Sequence, residues 1–408
     1  MPTQGCAGVF PCMPTTNSAR FKATPLALER HFLMRHTRIT ALFPLVAVLF
    51  ALAACRPDPG PEPDGPIFDP TPLTINRPLG LPPLEDNLAN PMTVEGVLLG
   101  RKLFFDPILS ADSTLSCAGC HNPSSGLVDD ANAVSIGIDG IAGTRNSMPL
   151  FNLAYSPAFS ITPEGRPRGG LFWDSRSPNL EQQALVPITD PIEMHNTLPQ
   201  AVLSLQRHPS YPLDFFYAFG DSVITPERIG QAIAQFERSI VSGNTPFDRM
   251  LSGQIFWDDD VFDGYELYLD LFGGDCFHCH GSGGLFTDFT YRSNGLDPYT
   301  RAADFPDRGL GAVTGDTADY GKFKVPSLRN LKYTAPYMHD GRFATLREVI
   351  DFYSEGVQHT PFTDQLMEFA FQGGALLTED EKDKLELFLL SLSDDSLALR
   401  PEYQNPWP

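Results

Sequence analysis

The stretch Cys276-Phe277-His278-Cys279-His280 decides how this chain folds, because an earlier stretch, Cys117-Ala118-Gly119-Cys120-His121, has the same form. Each is C-x-x-C-H, the attachment pattern for haem of the c type. The two thiols bond covalently to the porphyrin vinyl groups, and the adjacent histidine is placed to ligate the iron. One match could be half of a zinc site or a redox dithiol. Two matches in one chain predict two covalently bound haems.

The cysteine count leaves little room for other thiol chemistry. The chain has 408 residues and seven cysteines, and four of these cysteines belong to the two motifs. Cys6, Cys12 and Cys55 precede the expected folded body, so no cysteine remains there for a disulfide or an all-cysteine zinc site. The formal net charge is −21, and such an acidic chain is not expected to bind nucleic acid.

Residues 1–55 form an N-terminal extension followed by what resembles a bacterial lipoprotein signal. A basic stretch from Met34 to Arg38 precedes the apolar segment 39–54, which is short for a membrane span. The segment ends in Leu52-Ala53-Ala54-Cys55, so Cys55 is predicted to become the lipidated mature N-terminus. A plain signal peptide cut nearby is the alternative. Both interpretations predict an exported, periplasmic protein, whose only membrane attachment would be this lipid anchor.

The rest of the chain is predicted to be a linker and a mainly α body. Residues 56–85 are rich in proline, aspartate and glycine and read as a disordered linker. The folded body divides into residues 86–250 and 251–408, with one haem motif in each. No stretch alternates with a period of two, and long loops follow both motifs. Periodicity and capping signals predict helices at 94–105, 180–186, 263–271 and 345–353, and behind Thr225 and Thr378.

Several linked strings of the folded body are similar to those of bacterial di-haem cytochrome c peroxidases and the related MauG enzymes. They run in the same order from about Leu98 to Leu392 and include Phe172-Trp173-Asp174-Ser175-Arg176, Pro191-Ile192-Glu193-Met194 and Thr334-Ala335-Pro336-Tyr337-Met338-His339-Asp340-Gly341. The resemblance implies two cytochrome c-like α domains, with one haem each and the active site facing the interface. It also implies a peroxidase that uses hydrogen peroxide and takes electrons from a small redox protein or a protein substrate.

The resemblance assigns peroxide chemistry to the first haem, with His121 as proximal ligand. Ile138 stands where the peroxidases often have a blocking distal histidine, so this iron is expected to be open. Glu193 matches a distal carboxylate that can move a proton between the peroxide oxygens. Gln183 matches a distal hydrogen-bonding amide, and Trp173 an aromatic residue between the haems. Without the resemblance, Gln183 and Glu193 would be read as solvent-facing residues and Trp173 as core.

The resemblance assigns electron storage to the second haem. Cys276 and Cys279 are expected to attach this haem, and His280 is expected to ligate its iron. Tyr353 takes the position of the sixth ligand, as in MauG-like enzymes, and Met338 is the other candidate. A phenolate should stabilise ferric and higher oxidation states, whereas a thioether favours ferrous iron. On periodicity alone, Tyr353 could equally be a core aromatic on an amphipathic helix.

A calcium ion between the domains is also implied by the resemblance. The matching ligands are the side chain of Asn146 and the main-chain carbonyls of Thr334 and Pro336, an all-oxygen set of the kind that calcium prefers. The expected cofactors are therefore two covalently bound haem c groups and Ca²⁺.

Two rival interpretations stay open. A conventional cytochrome c peroxidase would use Met338 as the axial ligand of the second haem. A di-haem electron carrier would have two six-coordinate, low-spin haems and no peroxide chemistry. A spectrum of the resting ferric protein separates these possibilities, because an open first haem should be five-coordinate and high-spin.

Overall fold

The computed structural model describes residues 65–85, 87–129 and 132–407. Cys55, the signal around it and residues 56–64 of the linker lie outside the described residues. The chain from Pro66 to Pro408 forms one compact unit, and the boundary at residue 250 remains a prediction. Over the described ranges, no helix is both long enough and apolar enough to cross a membrane.

The described body is mainly helical, as the periodicity predicts. Strands occur as two short antiparallel pairs, β1 (Ser160–Ile161) with β2 (Pro167–Arg168) and β3 (Tyr291–Arg292) with β4 (Phe323–Lys324). The α-helices are α1 (Val94–Phe105), α2 (Cys117–Cys120), α3 (Leu180–Gln183), α4 (Val186–Thr189), α5 (Leu198–Arg207), α6 (Tyr211–Phe219), α7 (Pro226–Ser239), α8 (Pro246–Leu251), α9 (Asp259–Leu269), α10 (Phe277–His280), α11 (Gly311–Thr314), α12 (Leu346–Asp351) and α13 (Glu379–Leu390).

Local capping signals place several helix ends where they were predicted. The hydroxyl of Thr225 accepts from the N–H of Arg228 at the start of α7, and Thr378 forms a capping box with Glu381 at the start of α13. Other boundaries differ from the prediction. Helix α9 begins at Asp259 rather than at residue 263, because acidic residues in its first turn favour the positive end of the helix dipole. The helix predicted at 180–186 is split into α3 and α4.

The two haem motifs are followed by the same local structure. The Nδ1 atom of His121 lies 2.9 Å from the carbonyl oxygen of Leu127, and the Nδ1 atom of His280 lies 3.3 Å from that of Phe286. In both cases the carbonyl belongs to the sixth residue after the histidine. Leu127 and Phe286 both have positive φ, at 62° and 51°. The two motifs therefore begin equivalent loops.

The equivalence extends to the helices behind the motifs. Helix α1 packs on α7, where a Cβ atom at Gly100 would lie 1.9 Å from the carbonyl oxygen of Ala232. Helix α9 packs on α13 in the same way, with 2.0 Å between a Cβ at Gly264 and the carbonyl oxygen of Lys384. Glycine is required at both crossings because the backbones approach so closely. The body is thus built from two repeats of one helical arrangement.

Hydrophobic contacts tie the repeats together. One buried cluster is drawn from residues 99–233, and another from residues 247–392. The C-terminal residues Leu397 and Tyr403 pack back on Phe104 and Phe236 of the first repeat. The end of the chain therefore contributes to the core of the first repeat.

Candidate active site

The first C-x-x-C-H motif is arranged for haem attachment. Cys117 and Cys120 begin and end the single turn α2, and both are free thiols. His121 follows at the end of the turn. Because the carbonyl of Leu127 can only accept, Nδ1 of His121 carries the proton and donates to it. This tautomer leaves Nε2 free to bind a metal.

The second motif has the same arrangement. Cys276 and Cys279 are also free thiols. Nδ1 of His280 lies 3.1 Å from the carbonyl oxygen of Pro326 as well as 3.3 Å from that of Phe286. The histidine therefore again presents Nε2. In the part of the chain that the structure describes, no group of three or more His, Cys, Asp and Glu side chains could hold a metal ion. The closed four-ligand zinc site considered from the sequence does not fit either motif.

A cavity of about 990 Å³ opens beside His121, and residues from both repeats line it. The first repeat contributes Trp173, Gln183 and Glu193, which lie far from the motif in sequence. The second repeat contributes residues of the segments 293–308 and 321–342. The structure thus brings His121 and the three predicted catalytic side chains to one cavity. Its volume is in the upper part of the range for ligand and cofactor sites.

Glu193 is held at this cavity by its backbone. Its N–H donates to the carbonyl of Asp190 at 3.1 Å, and its carbonyl accepts from the N–H of Ile138 at 3.0 Å. Burial raises the pKa of Glu193 to about 7, with a smaller contribution from the charge of Asp190, while Arg176 acts in the opposite direction. A carboxyl group with this pKa can both take and return a proton near neutral pH.

Ile138 belongs to the segment that borders the distal residues. Its main-chain bond to Glu193 places the segment 136–140 against the predicted distal carboxylate. The next histidine after Ile138 in the chain, His195, pairs with Asp139 at 2.5 Å and is about half exposed. His195 is not among the residues that line the cavity.

Trp173 joins the two repeats. Its indole Nε1 donates to the carbonyl oxygen of Asn146 at 2.9 Å, and its own carbonyl accepts from the N–H of Lys324 at 2.9 Å. The side chain is only 8% exposed, yet it lines the cavity. Trp173 is therefore held to a residue of the first repeat by its indole and to a strand of the second repeat by its main chain.

The two candidate ligands of the second haem lie in one cluster. The side-chain nitrogen of Asn294 is 3.0 Å from the hydroxyl of Tyr353 and 3.8 Å from the sulfur of Met338. Burial raises the pKa of Tyr353 to about 12, and the bond from Asn294 opposes that shift. The predicted helix 345–353 ends as α12 at Asp351, and Tyr353 lies in the π-helical turn Phe352–Gly356. Such turns frequently occur at functional sites.

The three residues matched to calcium ligands are distributed along the contact between the repeats. The N–H of Asn146 donates to the carbonyl of His339 at 2.7 Å, and its side-chain nitrogen donates to the carbonyl of Ala133 at 3.0 Å. Gly126, in the loop after the first motif, packs closely on Thr334. Pro336 follows a cis peptide bond. A calcium site made of one side-chain amide and main-chain carbonyls would need no cluster of His, Cys, Asp or Glu side chains.

Two groups at the cavity were not predicted as site residues. Arg145 bridges the repeats, binding Asp174 at 2.7 Å and Asp307 through two hydrogen bonds of 2.7 Å. Lys324 is buried, and its ammonium group donates to the carbonyl of Gly170 at 2.5 Å. Arg145 directly precedes Asn146, one of the residues matched to calcium ligands. Nothing in the local sequence distinguishes Lys324 from a surface lysine.

Comparisons with known proteins agree with this geometry. Residues 94–255 match the family model described as di-haem cytochrome c peroxidase. The chain is 36% identical over 313 residues to methylamine utilization protein MauG of Methylorubrum extorquens, an overlap of 76% of this chain and 82% of that protein. It is 33% identical over 310 residues to cytochrome c551 peroxidase of Nitrosomonas europaea, covering 76% and 81%. A crystal structure of a MauG-like protein associated with microbial copper homeostasis aligns with a TM-score of 0.72 at 33% identity, over 82% of this chain and 100% of that one.

Proposed function

Because the chain belongs to the family of di-haem cytochrome c peroxidases and MauG proteins, we propose that it is an exported peroxidase that reduces hydrogen peroxide at the first haem. Electrons reach that haem through the second one. The observation that carries the proposal is the cavity shared by His121, Gln183 and Glu193. The oxidised partner is a small redox protein or a protein substrate, as in MauG-like chemistry.

The residues of both motifs fit haem c. Cys117 and Cys120 would attach the first group and Cys276 and Cys279 the second, since all four thiols are free. His121 and His280 would ligate the irons through Nε2, because their Nδ1 atoms are committed to carbonyl groups. Bound at His121, the haem supplies the iron that binds peroxide and exchanges electrons with it. The repeated helical arrangement supports two cytochrome c-like domains, at 86–250 and 251–408, with the C-terminal tail added to the first.

The distal residues would then handle protons. Cleavage of peroxide into an oxygen atom and water requires a proton to leave one oxygen and reach the other. Glu193 can carry that proton, because its carboxyl group faces the cavity and its pKa is near 7. Gln183 can hold the peroxide by hydrogen bonding. Ile138 cannot ligate iron, so its side chain would not compete with peroxide for a haem held by His121.

The second haem would store an oxidising equivalent. Tyr353 is favoured as its axial ligand, because Asn294 donates a hydrogen bond of 3.0 Å to its hydroxyl, and such a bond favours the phenolate that binds iron. Trp173, fixed between the repeats, would relay electrons between the two sites. Asn146, Thr334 and Pro336 would bind calcium at the same contact. Cys55 would carry the lipid that anchors the exported protein.

A conventional peroxidase with Met338 as ligand is the second candidate. The contact between Met338 and Asn294 favours it, because it places the thioether beside the same amide as Tyr353. In that enzyme, the second haem would be a higher-potential acceptor of electrons from a cytochrome.

The resting ferric holoprotein tests both proposals. We expect one five-coordinate, high-spin haem and one six-coordinate, low-spin haem by electron paramagnetic resonance, and rapid change of the haem absorption on adding peroxide. Two low-spin haems that do not respond to peroxide would instead identify an electron carrier.

Mass spectrometry of the membrane-associated protein should find acylated Cys55 as the first residue.

A further inference from the structure

We propose that an apolar face on the first repeat rests on the lipid surface to which Cys55 would be anchored. The face consists of Ile67, Phe68, Leu213, Tyr217 and Val223, and is here called the α6 face. The inference rests on the proposed export and acylation of the chain, and it adds the orientation of the protein on the membrane. It does not involve the haem sites or the reaction with peroxide.

The α6 face is an exposed group of large apolar side chains. Each of its five residues has between 39% and 79% of its surface exposed. Leu213 and Tyr217 lie four positions apart on α6, so their side chains project from the same side of the helix. Single exposed apolar residues are ordinary on a protein surface, whereas a contiguous group of them indicates a binding surface.

Aromatic contacts make the face contiguous. The rings of Phe68 and Phe216 meet edge to face with their centroids 6.4 Å apart, and the ring of Phe216 lies 5.8 Å from that of Tyr217. A Cβ atom at Gly220 would lie 3.3 Å from the ring of Phe68, and Val223 follows three positions after this glycine. The segment that leads into the first repeat and helix α6 therefore share one apolar surface.

The carboxylates of α6 and of the loop after it are paired with basic side chains. Asp214 forms an ion pair of 2.6 Å with Lys102, and Asp221 receives two hydrogen bonds from Arg228. Asp69 is exposed and would remain among the hydrated headgroups. A bilayer could therefore approach the face without stripping water from an uncompensated charge.

An exposed apolar residue of the second repeat has different surroundings. Phe272 is more exposed than any residue of the α6 face, and Asp270 and Asp275 lie within three positions of it. Anionic lipids repel a surface that is rich in carboxylates. We therefore do not expect Phe272 to contact the bilayer, and this residue supplies a matched control.

The chain from the proposed anchor joins the body at the α6 face. Ile67 is 12 positions after Cys55, so a fully extended chain would span at most roughly 40 Å between them. The segment is already held by the first repeat at Thr71, whose carbonyl accepts from the N–H of Val94 at 2.9 Å. A short tether gives an effective concentration of about millimolar order, so a weak apolar contact is sufficient.

The tether itself is not suited to cover the face. Residues 56–66 include five prolines and three acidic residues, and they contain no apolar side chain larger than proline. Such a segment has little apolar surface to bury. The acyl chains of the membrane that holds the anchor are therefore the occupant that fits the face.

Spin labelling of the acylated holoprotein in phosphatidylcholine vesicles tests the contact. Tyr217→Cys would introduce a free thiol into a mature chain whose other cysteines carry haem or lipid. We expect its label to be open to oxygen, which concentrates in the bilayer, and shielded from a water-soluble nickel chelate. A label introduced by Phe272→Cys should show the reverse. Equal nickel access at both positions would overturn the proposal. Dipolar broadening at residue 217 would also overturn it, because a second copy of the chain would then cover the face.

Transfer of the acylated protein between vesicles tests what the face contributes to binding. The double variant with Leu213→Ser and Tyr217→Ser should transfer at least about tenfold faster than the wild type, because it loses the burial of two large apolar side chains. Phe272→Ser should transfer at the wild-type rate. Both variants should keep the wild-type haem spectrum and peroxide response, which shows that they are folded.

The outcomes separate this inference from the proposed function. Acylated protein whose double variant transfers at the wild-type rate would overturn the inference alone. A mature protein without an acyl group on Cys55, detected by mass spectrometry, would overturn the anchor and this inference together. Failure of the wild type to react with peroxide would overturn the proposed peroxidase, and the vesicle measurements would still decide whether the α6 face contacts lipid.

Discussion

The side-chain amide of Asn294 donates a hydrogen bond to the hydroxyl oxygen of Tyr353 at 3.0 Å. A donor at this position stabilises a phenolate, which is the form of tyrosine that binds ferric iron. The same nitrogen lies 3.8 Å from the sulfur of Met338. Asn294 therefore lies beside both of the residues proposed as ligands of the second haem, and its hydrogen bond favours the anionic form of Tyr353.

Replacing Tyr353 by methionine should raise the midpoint potential of the second haem. A neutral thioether stabilises ferrous iron relative to a phenolate, and axial ligands span about 0.8 V in haem proteins. We expect a rise on the order of hundreds of millivolts in a spectroelectrochemical titration. Met338→Leu serves as the control and should leave the potential nearly unchanged. If Met338→Leu changes the axial ligand and Tyr353→Phe does not, the assignment to Tyr353 is wrong.

Replacing Glu193 by glutamine should slow the reaction with peroxide by about 10²- to 10⁴-fold, the usual contribution of general acid–base catalysis. The wild-type rate should also depend on pH in a defined direction. Burial raises the pKa of Glu193 to about 7, and only the ionised form can accept a proton. The rate should therefore fall as pH drops below about 7. Stopped-flow absorption measures both effects, and a flat profile in the wild type would count against this role.

Replacing Trp173 by phenylalanine should slow electron exchange between the haems while leaving both haems attached. Phenylalanine keeps an aromatic ring but is harder to oxidise, and it cannot donate to the carbonyl of Asn146. Loss of that buried hydrogen bond should cost about 1 kcal/mol of stability. Trp257→Phe is the matched control, because Trp257 packs in the second hydrophobic cluster. Comparable interhaem rates in the two variants after flash reduction would remove Trp173 from the electron path.

Removal of calcium tests the proposed ion site independently of the haem sites. Treatment with a chelator, followed by removal of the chelator, should lower turnover, and added calcium should restore it. Asn146→Ala should weaken calcium binding, measured by metal analysis and calorimetry, because it removes an oxygen ligand. A holoprotein that contains no calcium and does not respond to it would refute the site.

Replacing Asp248 by asparagine should destabilise the fold by about 3–5 kcal/mol. Asp248 receives two hydrogen bonds of 2.7 and 2.8 Å from Arg329, a side chain with 0% exposure. The variant would leave a buried guanidinium without its counter-charge. Urea unfolding measures the loss. Asp395→Asn is the control, because the Lys332–Asp395 pair is exposed and should contribute about 0–1 kcal/mol. Equal stabilities of the two variants would contradict this expectation.

The sequence alone determined the features that depend on near neighbours in the chain. The C-x-x-C-H motifs need only five consecutive residues, so haem attachment was predictable without a fold. Helix α1 was predicted to the residue, and the caps of α7 and α13 followed from a threonine and the turn after it. These features are local because both partners of each capping hydrogen bond lie within one helical turn.

Only the tertiary structure decided which distant residues meet. Asn294 and Tyr353 are 59 positions apart, and no local pattern connects them. Trp173 and Glu193 are likewise far from His121 in the sequence, and only the packing of distant segments brings all three to one cavity. The physical reason is that burial, and the pKa shifts that follow from it, arise from packing between elements. The sequence thus predicted where the haems attach, and packing decided which side chains surround the two motifs.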